Sequence, residues 1–206
     1  MKLSEYISKN KVQGGKCLVM GTGPSLNTLP DDTKLFKISV NDIGSFKNPD
    51  LIVVVDRFYS FTKAKRERMH YTIPFITPVG NPEWRDVVKG DIYEYKYEGY
   101  DMKNFVPYMN DGNKVITGHT SVFIALQVAV FLGYDEIGLI GVDLTRGHSH
   151  TGETSLHPLN KLKDTVNNEF VKLNKVLKSL GVKVYNLSEE SLLTAFPKMK
   201  INDFLV

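Results

Sequence analysis

Residues 117–150 read TGHTSVFIALQVAVFLGYDEIGLIGVDLTRGHSH, and three signals within them decide the architecture. A hydroxyl at Thr120 or Ser121 is placed to cap a helix over 121–132. Only Gln127 breaks that helix's apolar run, which predicts burial on most faces rather than along one stripe. Gly133 ends the helix, and Glu136-Ile-Gly-Leu-Ile-Gly141 then reads as a short interior strand of a parallel sheet. The strand runs out in Gly141-Val142-Asp143, ahead of a loop carrying His148 and His150. Open α/β sheets bind ligands outside the carboxyl ends of their strands, so Asp143 and these histidines are candidate site residues.

The same ending recurs on both sides of this stretch. Residues 16–20 run straight into Gly21-Thr22-Gly23-Pro24-Ser25, residues 36–40 end at Asn41-Asp42, and residues 51–55 end at Asp56-Arg57. Apolar strands that each stop at Gly, Asn or Asp predict an α/β fold with a mostly parallel sheet and a polar rim along its carboxyl edge. Around them the pattern predicts an amphipathic helix over 3–9, a helix with a solvated basic face over 60–70, and a strand over 73–77 pushed to the sheet edge by Pro74 and Pro78. It further predicts an exposed strand or hairpin over 91–100 and a loop over 102–114. A long helix over 160–180 comes next, with Leu162, Val166, Phe170, Leu173 and Leu177 on one face. A strand over 182–187 and a short helix capped by Ser188 complete the chain. With no internal repeat and no long linker, residues 1–206 read as a single domain.

Composition narrows the function classes. The chain has 206 residues, 42% hydrophobic and 24% charged, which suits one sizeable core. A net charge of +3 without a strong basic run argues against nucleic acid as partner. Cys17, the sole cysteine, lies in an apolar run and reads as a buried, inert thiol. Neither a signal-peptide apolar core nor a membrane-length apolar run is evident, so a soluble, cytoplasmic protein is expected.

Several residue sets can carry chemistry. Glycines at 21 and 23 let backbone N–H groups approach an anionic ligand, with Thr22, Pro24 and the Ser25 hydroxyl beside them; the other reading is a tight strand exit. The turn lacks both the third glycine of the dinucleotide fingerprint and the Gly-Lys-Ser/Thr of a P-loop. Asn41 and Asp56 end their strands on the same rim, where they either read a base or ribose or cap the next helix. His148, His150 and His157 fall close together in one polar loop after Asp143. A histidine there suits a general base, whereas zinc finds neither a nearby cysteine nor a helical His-x-x-x-His pair. His119 stands apart, next to the start of the central helix, facing either a phosphate or the cap alone.

Taken in order, Gly21-Thr-Gly-Pro-Ser-Leu26, Thr120-Ser121 opening a helix, Leu132-Gly-Tyr-Asp-Glu-Ile137, Ile140-Gly-Val-Asp143 and Val182-Lys-Val-Tyr-Asn-Leu187 resemble the bacterial sialyltransferases of glycosyltransferase family 42. The same skeleton is similar to the wider DUF115 group, with its MptE-type 6-hydroxymethylpterin diphosphokinases, and to phage-encoded proteins of unassigned activity. The chain departs from the sialyltransferase pattern at Gly118-His119, where that family has an arginine, and at Leu144-Thr145, where it has an aromatic pair. The resemblance implies a single Rossmann-like domain, a variant of the GT-A arrangement, that binds a CMP-sugar and requires no metal. It places Gly21, Gly23, Ser25 and Asn41 around the nucleotide, Thr120 and Ser121 near the phosphate, and His157 or His150 at the catalytic base.

The lead expectation is therefore a glycosyltransferase acting from a CMP-sugar or other nucleotide-sugar donor onto a saccharide or small-molecule acceptor, with Asp143 orienting a histidine or the sugar. The alternatives are ATP-dependent diphosphoryl transfer, with Mg²⁺ held by Asp56 and Asp143, and a non-catalytic phage nucleotide-binding protein. A homo-oligomer is compatible with the composition.

Overall fold

A computed structural model describes residues 1–45, 47–145 and 161–206. Among these, eight strands form one sheet in the order β6-β5-β4-β3-β2-β1-β7-β8. The strands are β1 (Lys16–Met20), β2 (Phe36–Val40), β3 (Leu51–Val53), β4 (Phe75–Pro78), β5 (Ile92–Tyr97), β6 (Lys114–Val115), β7 (Glu136–Ile140) and β8 (Lys183–Asn186). Every pairing is parallel. The chain winds outward from β1 to β6, then crosses back to lay β7 against the free side of β1. In that register Met20 is level with Ile140. The order reverses between β1 and β7, and in sheets of this class a crevice opens at such a switch point.

The returning crossover is α4 (Ser121–Phe131), the central helix of the sequence. Thr120 Oγ1 accepts from Phe123 N at 3.1 Å, which settles the cap in favour of threonine. Nearly every α4 side chain is buried, each large one contributing roughly 2 kcal/mol of hydrophobic stabilisation. Gln127 is buried too, because its amide serves the backbone: Oε1 accepts from Ile116 N at 2.8 Å and Nε2 donates to Ile116 O at 2.9 Å. Period-two alternation then divides the sheet. Cys17, Val19, Ile38, Val40, Leu51 and Val53 pack under α4 and α5 (Lys163–Ser179), joined by α1 (Leu3–Asn10) and α3 (Phe105–Asp111). The opposite face carries two smaller clusters: Leu18, Met20 and Ile140 under α6 (Ile201–Leu205), and Ile52, Phe75 and Trp84 beside α2 (Lys63–Arg68). Cys17 is fully buried, and burial pushes its thiol well above the ordinary range, as an inert core residue requires.

Several expectations are corrected. The strand near 73–77 is interior rather than at the edge: Pro74 precedes it and Pro78 is its last residue, and Pro74 O accepts from Ile52 N at 3.1 Å. Residues 92–97 form an ordinary parallel strand with Tyr93 and Tyr95 buried, not a hairpin. Within the loop expected over 102–114 lies α3, whose Pro107 occupies the first turn, where a missing N–H costs nothing. Leu162 precedes α5 and is exposed, leaving Val166, Phe170, Leu173 and Leu177 as the buried stripe. Residues 188–195 are not helical, since local side-chain bonds compete for the backbone: Asn186 Oδ1 takes Ser188 N, and Ser191 Oγ takes Leu193 N.

Candidate functional site

The exits of β1 and β7 are pressed together at the switch point. Gly21 N donates to Ile140 O and Gly23 N to Gly141 O, both at 2.7 Å. Gly141 has φ +72°, and a Cβ there would overlap Gly21 O; a Cβ on Gly23 would overlap the Asp143 carboxylate. Ser25 ties the seam from below, since its Oγ accepts from Gly141 N at 2.9 Å and bonds Ser188 Oγ. The sequence aims the N–H groups of residues 21–25 at an anion. In the structure Gly21, Gly23 and Ser25 donate theirs to Ile140, Gly141 and Asp143, so these donors are engaged within the protein.

A cleft of about 350 Å³ opens beside this seam. Thr22, Gly23, Pro24, Gly141 and Asp143 form one wall, and Asn41, Asp56, Phe61, Lys65, His119, Thr120 and Ser121 the other. The structure thus gathers Thr22, Gly23, Pro24, Asn41, Asp56, His119, Thr120, Ser121 and Asp143 into one place. Gly21 lies just beneath them. Ser25 lines a neighbouring cavity of about 840 Å³, with Pro24 and Asp143 shared between the two. His148, His150 and His157 lie outside the described residues.

Each wall has a physical reason for its placement. The 186–193 loop buttresses Asp143: Ser191 Oγ donates to Val142 O at 2.6 Å and Leu192 N to Asp143 O at 2.8 Å. Asp143 is 5% exposed, and its Oδ2 accepts from Ser25 N at 2.9 Å. Its Oδ1 is buried with no partner among the described residues. A buried carboxylate oxygen without a donor is costly, and a ligand hydroxyl or cation would satisfy it. Asn41 holds φ +54°, a conformation asparagine tolerates better than most residues. Its carbonyl accepts from Tyr71 OH at 2.8 Å, and its Oδ1 accepts from Ser121 Oγ at 3.3 Å. Next to it, buried Asp42 pairs with Arg68 of α2 at 2.8 Å. The basic face expected on that helix is therefore only partly solvated: Arg68 anchors the Asn41 turn, Arg66 lies over Phe58 and Tyr59, and Lys65 enters the cleft.

Burial raises the Asp56 carboxyl above the usual aspartate value. Thr120 and Ser121 place the first turn of α4 at the cleft, where the leading N–H groups have no intrahelical partner and the helix dipole is positive. His119 precedes that cap and is held by Glu169 of α5. Its Nδ1 lies 2.6 Å from Glu169 Oε1, and its backbone N donates to Glu169 Oε2 at 3.1 Å. Sequence reasoning missed Glu169, read Lys65 only as part of a basic helix face and read Ser188 only as a helix cap. Glu169 does carry a signal: a charge three residues after Val166 and directly before Phe170 borders the buried stripe of α5.

No family model and no curated protein matches the chain. Solved structures do match in fold. The MAf glycosyltransferase from Magnetospirillum magneticum AMB-1 superposes with a TM-score of 0.61 at 14% identity, over 92% of this chain and 34% of that one. The chain therefore spans about a third of that protein. The sialyltransferase CstII from Campylobacter jejuni, in complex with cytidine-5′-monophosphate, gives a TM-score of 0.50 at 21% identity, over 93% and 87% of the two chains. The sialyltransferase CST-II with a trisaccharide acceptor and CMP gives 0.52 at 22%, over 91% and 87%. Among the described residues no helix is long and apolar enough to cross a membrane. At these identities the likeness establishes an architecture: a Rossmann-like α/β fold of the kind these glycosyltransferases use.

Proposed function

We propose that this protein is a glycosyltransferase that moves a sugar from a nucleotide-activated donor, of the CMP-sugar kind, to a hydroxyl of a saccharide or small-molecule acceptor. The observation that carries this reading is the polarity of the switch-point cleft. One wall presents the positive end of α4 with Thr120 and Ser121; the other presents Asp143, whose buried Oδ1 has no partner among the described residues. A ligand with an anionic group at one end and hydroxyls at the other satisfies both walls, and a sugar linked through phosphate to a nucleoside is such a ligand. The fold likeness to sialyltransferases that hold CMP supports the same class.

In this reading Asn41 contacts the nucleoside, and Gly21, Gly23 and Ser25 shape the floor that carries Thr22 and Pro24. Negative charge growing on the departing phosphate meets the N–H groups of α4, whose alignment precedes the reaction. Asp143 and Asp56 accept from sugar or ribose hydroxyls. His150 or His157 removes the acceptor proton, and His148 is close to them in sequence. One feature favours a second reading: Asp56 and Asp143 are both carboxylates of one cleft, as Mg²⁺-dependent diphosphoryl transfer from ATP requires.

A thermal-shift panel of CMP, CDP, UDP, GDP, ADP and ATP, each with and without Mg²⁺, separates them, because ligands of the native state raise its melting temperature. Stabilisation by CMP without metal is the expected result. Stabilisation by ATP only with Mg²⁺ would replace the glycosyltransferase by the diphosphokinase.

A further inference from the structure

The histidine of the cleft that the structure describes is His119, and the way it is held gives it a task. A single carboxylate, Glu169, grips it twice, at the ring Nδ1 and at the backbone N–H. The two residues lie 50 positions apart, and Glu169 is largely covered by its surroundings, with a side chain 14% exposed. A merely structural histidine at a helix start needs one partner for its ring; here the backbone and the ring are fixed together. With Nδ1 committed to Glu169, Nε2 is the ring nitrogen left to serve the cleft. His119 is also the residue immediately before the Thr120 cap, so it shares the end of α4 that receives the phosphate in the glycosyltransferase reading.

On that reading, we propose that His119 is a catalytic residue: as an imidazolium held by Glu169, it donates its Nε2 proton to the phosphate oxygen that leaves the sugar. The bond between the anomeric carbon and that oxygen breaks, and its electron pair stays on the oxygen, which takes the proton. The acceptor oxygen forms the new bond to carbon, and its own proton goes to the base or to water. Solvent then reprotonates the imidazole, and charge and atoms balance over the cycle. Glu169 is the positioning residue. Its two contacts, one to the ring and one to the backbone, aim the ring. The other charged groups facing the cleft are Lys65 from α2, Asp56 after β3 and Asp143 after β7. Among the described residues Glu169 is the one bonded to the ring.

The test uses CMP as probe and CMP-sugar turnover as readout, at about pH 6 and about pH 8, either side of the ordinary imidazole range. Wild type, His119→Gln, His119→Arg and Glu169→Gln are compared, after melting curves without ligand show which of them fold. CMP should stabilise wild type more at the lower pH. His119→Gln should lose that pH dependence and about 100-fold in turnover, the usual scale of one general acid. His119→Arg should keep CMP binding at both pH values but, carrying a charge without a transferable proton, should not regain turnover. Glu169→Gln should lower kcat more than it raises KM while its melting curve stays that of wild type, which a structural role alone would not do. CMP binding and turnover that are the same in wild type and His119→Gln at both pH values would overturn the proposal and leave the glycosyltransferase standing. No stabilisation of wild type by any nucleotide would remove that reading, and this inference with it.

Discussion

The two walls of the cleft are built on opposite principles. Along the β1–β7 wall, polar groups answer one another: the N–H groups of Gly21, Gly23, Ser25 and Gly141 and the hydroxyls of Ser25 and Ser188 are bonded within the protein. Along the α4 wall, Asn41, His119, Thr120 and Ser121 line the cleft with one side-chain group of each engaged, and the Asp56 carboxylate lines it with no bond among the described residues. The glycine-rich motif thus serves architecture by letting two strand exits meet, while in the proposed function recognition falls to residues scattered across three crossovers. Asp143, on the first wall, combines the two, with one oxygen bonded to Ser25 N and the other buried without a partner among the described residues.

The comparison breaks most visibly at Gly141. Alanine there adds a methyl against Gly21 O in a left-handed backbone conformation, and should cost about 3 kcal/mol in chemical denaturation. A Gly141→Ala protein as stable as wild type would mean that the seam is loose and the motif has another purpose. A smaller, paired effect sharpens the contrast. Ser25→Ala leaves the buried Gly141 N–H without an acceptor and should cost about 1–2 kcal/mol, with CMP affinity unchanged in calorimetric titration. Asn41→Gly should do the reverse. Glycine accepts the positive φ and retains the carbonyl that Tyr71 holds, so stability should stay within about 0.5 kcal/mol. Affinity should fall about tenfold with the lost amide. Exchanged outcomes would reassign the two residues to each other's walls.

How much of this was legible in the sequence tracks the same division. Strands ending in Gly, Asn or Asp, and a helix apolar on all sides, are local signals of burial and position, and they located the sheet, its carboxyl edge and most residues of the cleft. What the sequence hid is what depends on pairing across distance. The prolines around 74–78 argue for an edge strand until the neighbouring strand is seen to use Pro74 O. Ser188 suits a helix cap until Asn186 and Ser191 are seen to bond Leu193 O and Val142 O. Glu169 finds His119 only once α5 is laid over the start of α4. The N–H groups of the glycine turn look available to a ligand because the strand that takes them lies more than a hundred residues away.

The smallest expected effect concerns Asp56, and its sign decides which wall this residue belongs to. Burial raises its carboxyl above the ordinary aspartate value, so over the interval between the two values the folded protein binds the proton more tightly than the unfolded chain. Stability therefore rises as pH falls through the raised folded value, and the gain is complete below the unfolded value of about 4. Above the folded value the charged form carries a standing penalty. Asp56→Asn removes that penalty, so the variant should melt higher than wild type at neutral pH, with the difference closing as the pH is lowered below about 4. The same substitution should weaken donor binding, because a neutral amide is a poorer acceptor for hydroxyls than a carboxylate. More stability with less affinity is what a residue held ready for a ligand must show. An Asp56→Asn protein that melts lower than wild type at neutral pH would mean that the fold itself uses the charge, and Asp56 would then belong with the self-satisfied wall.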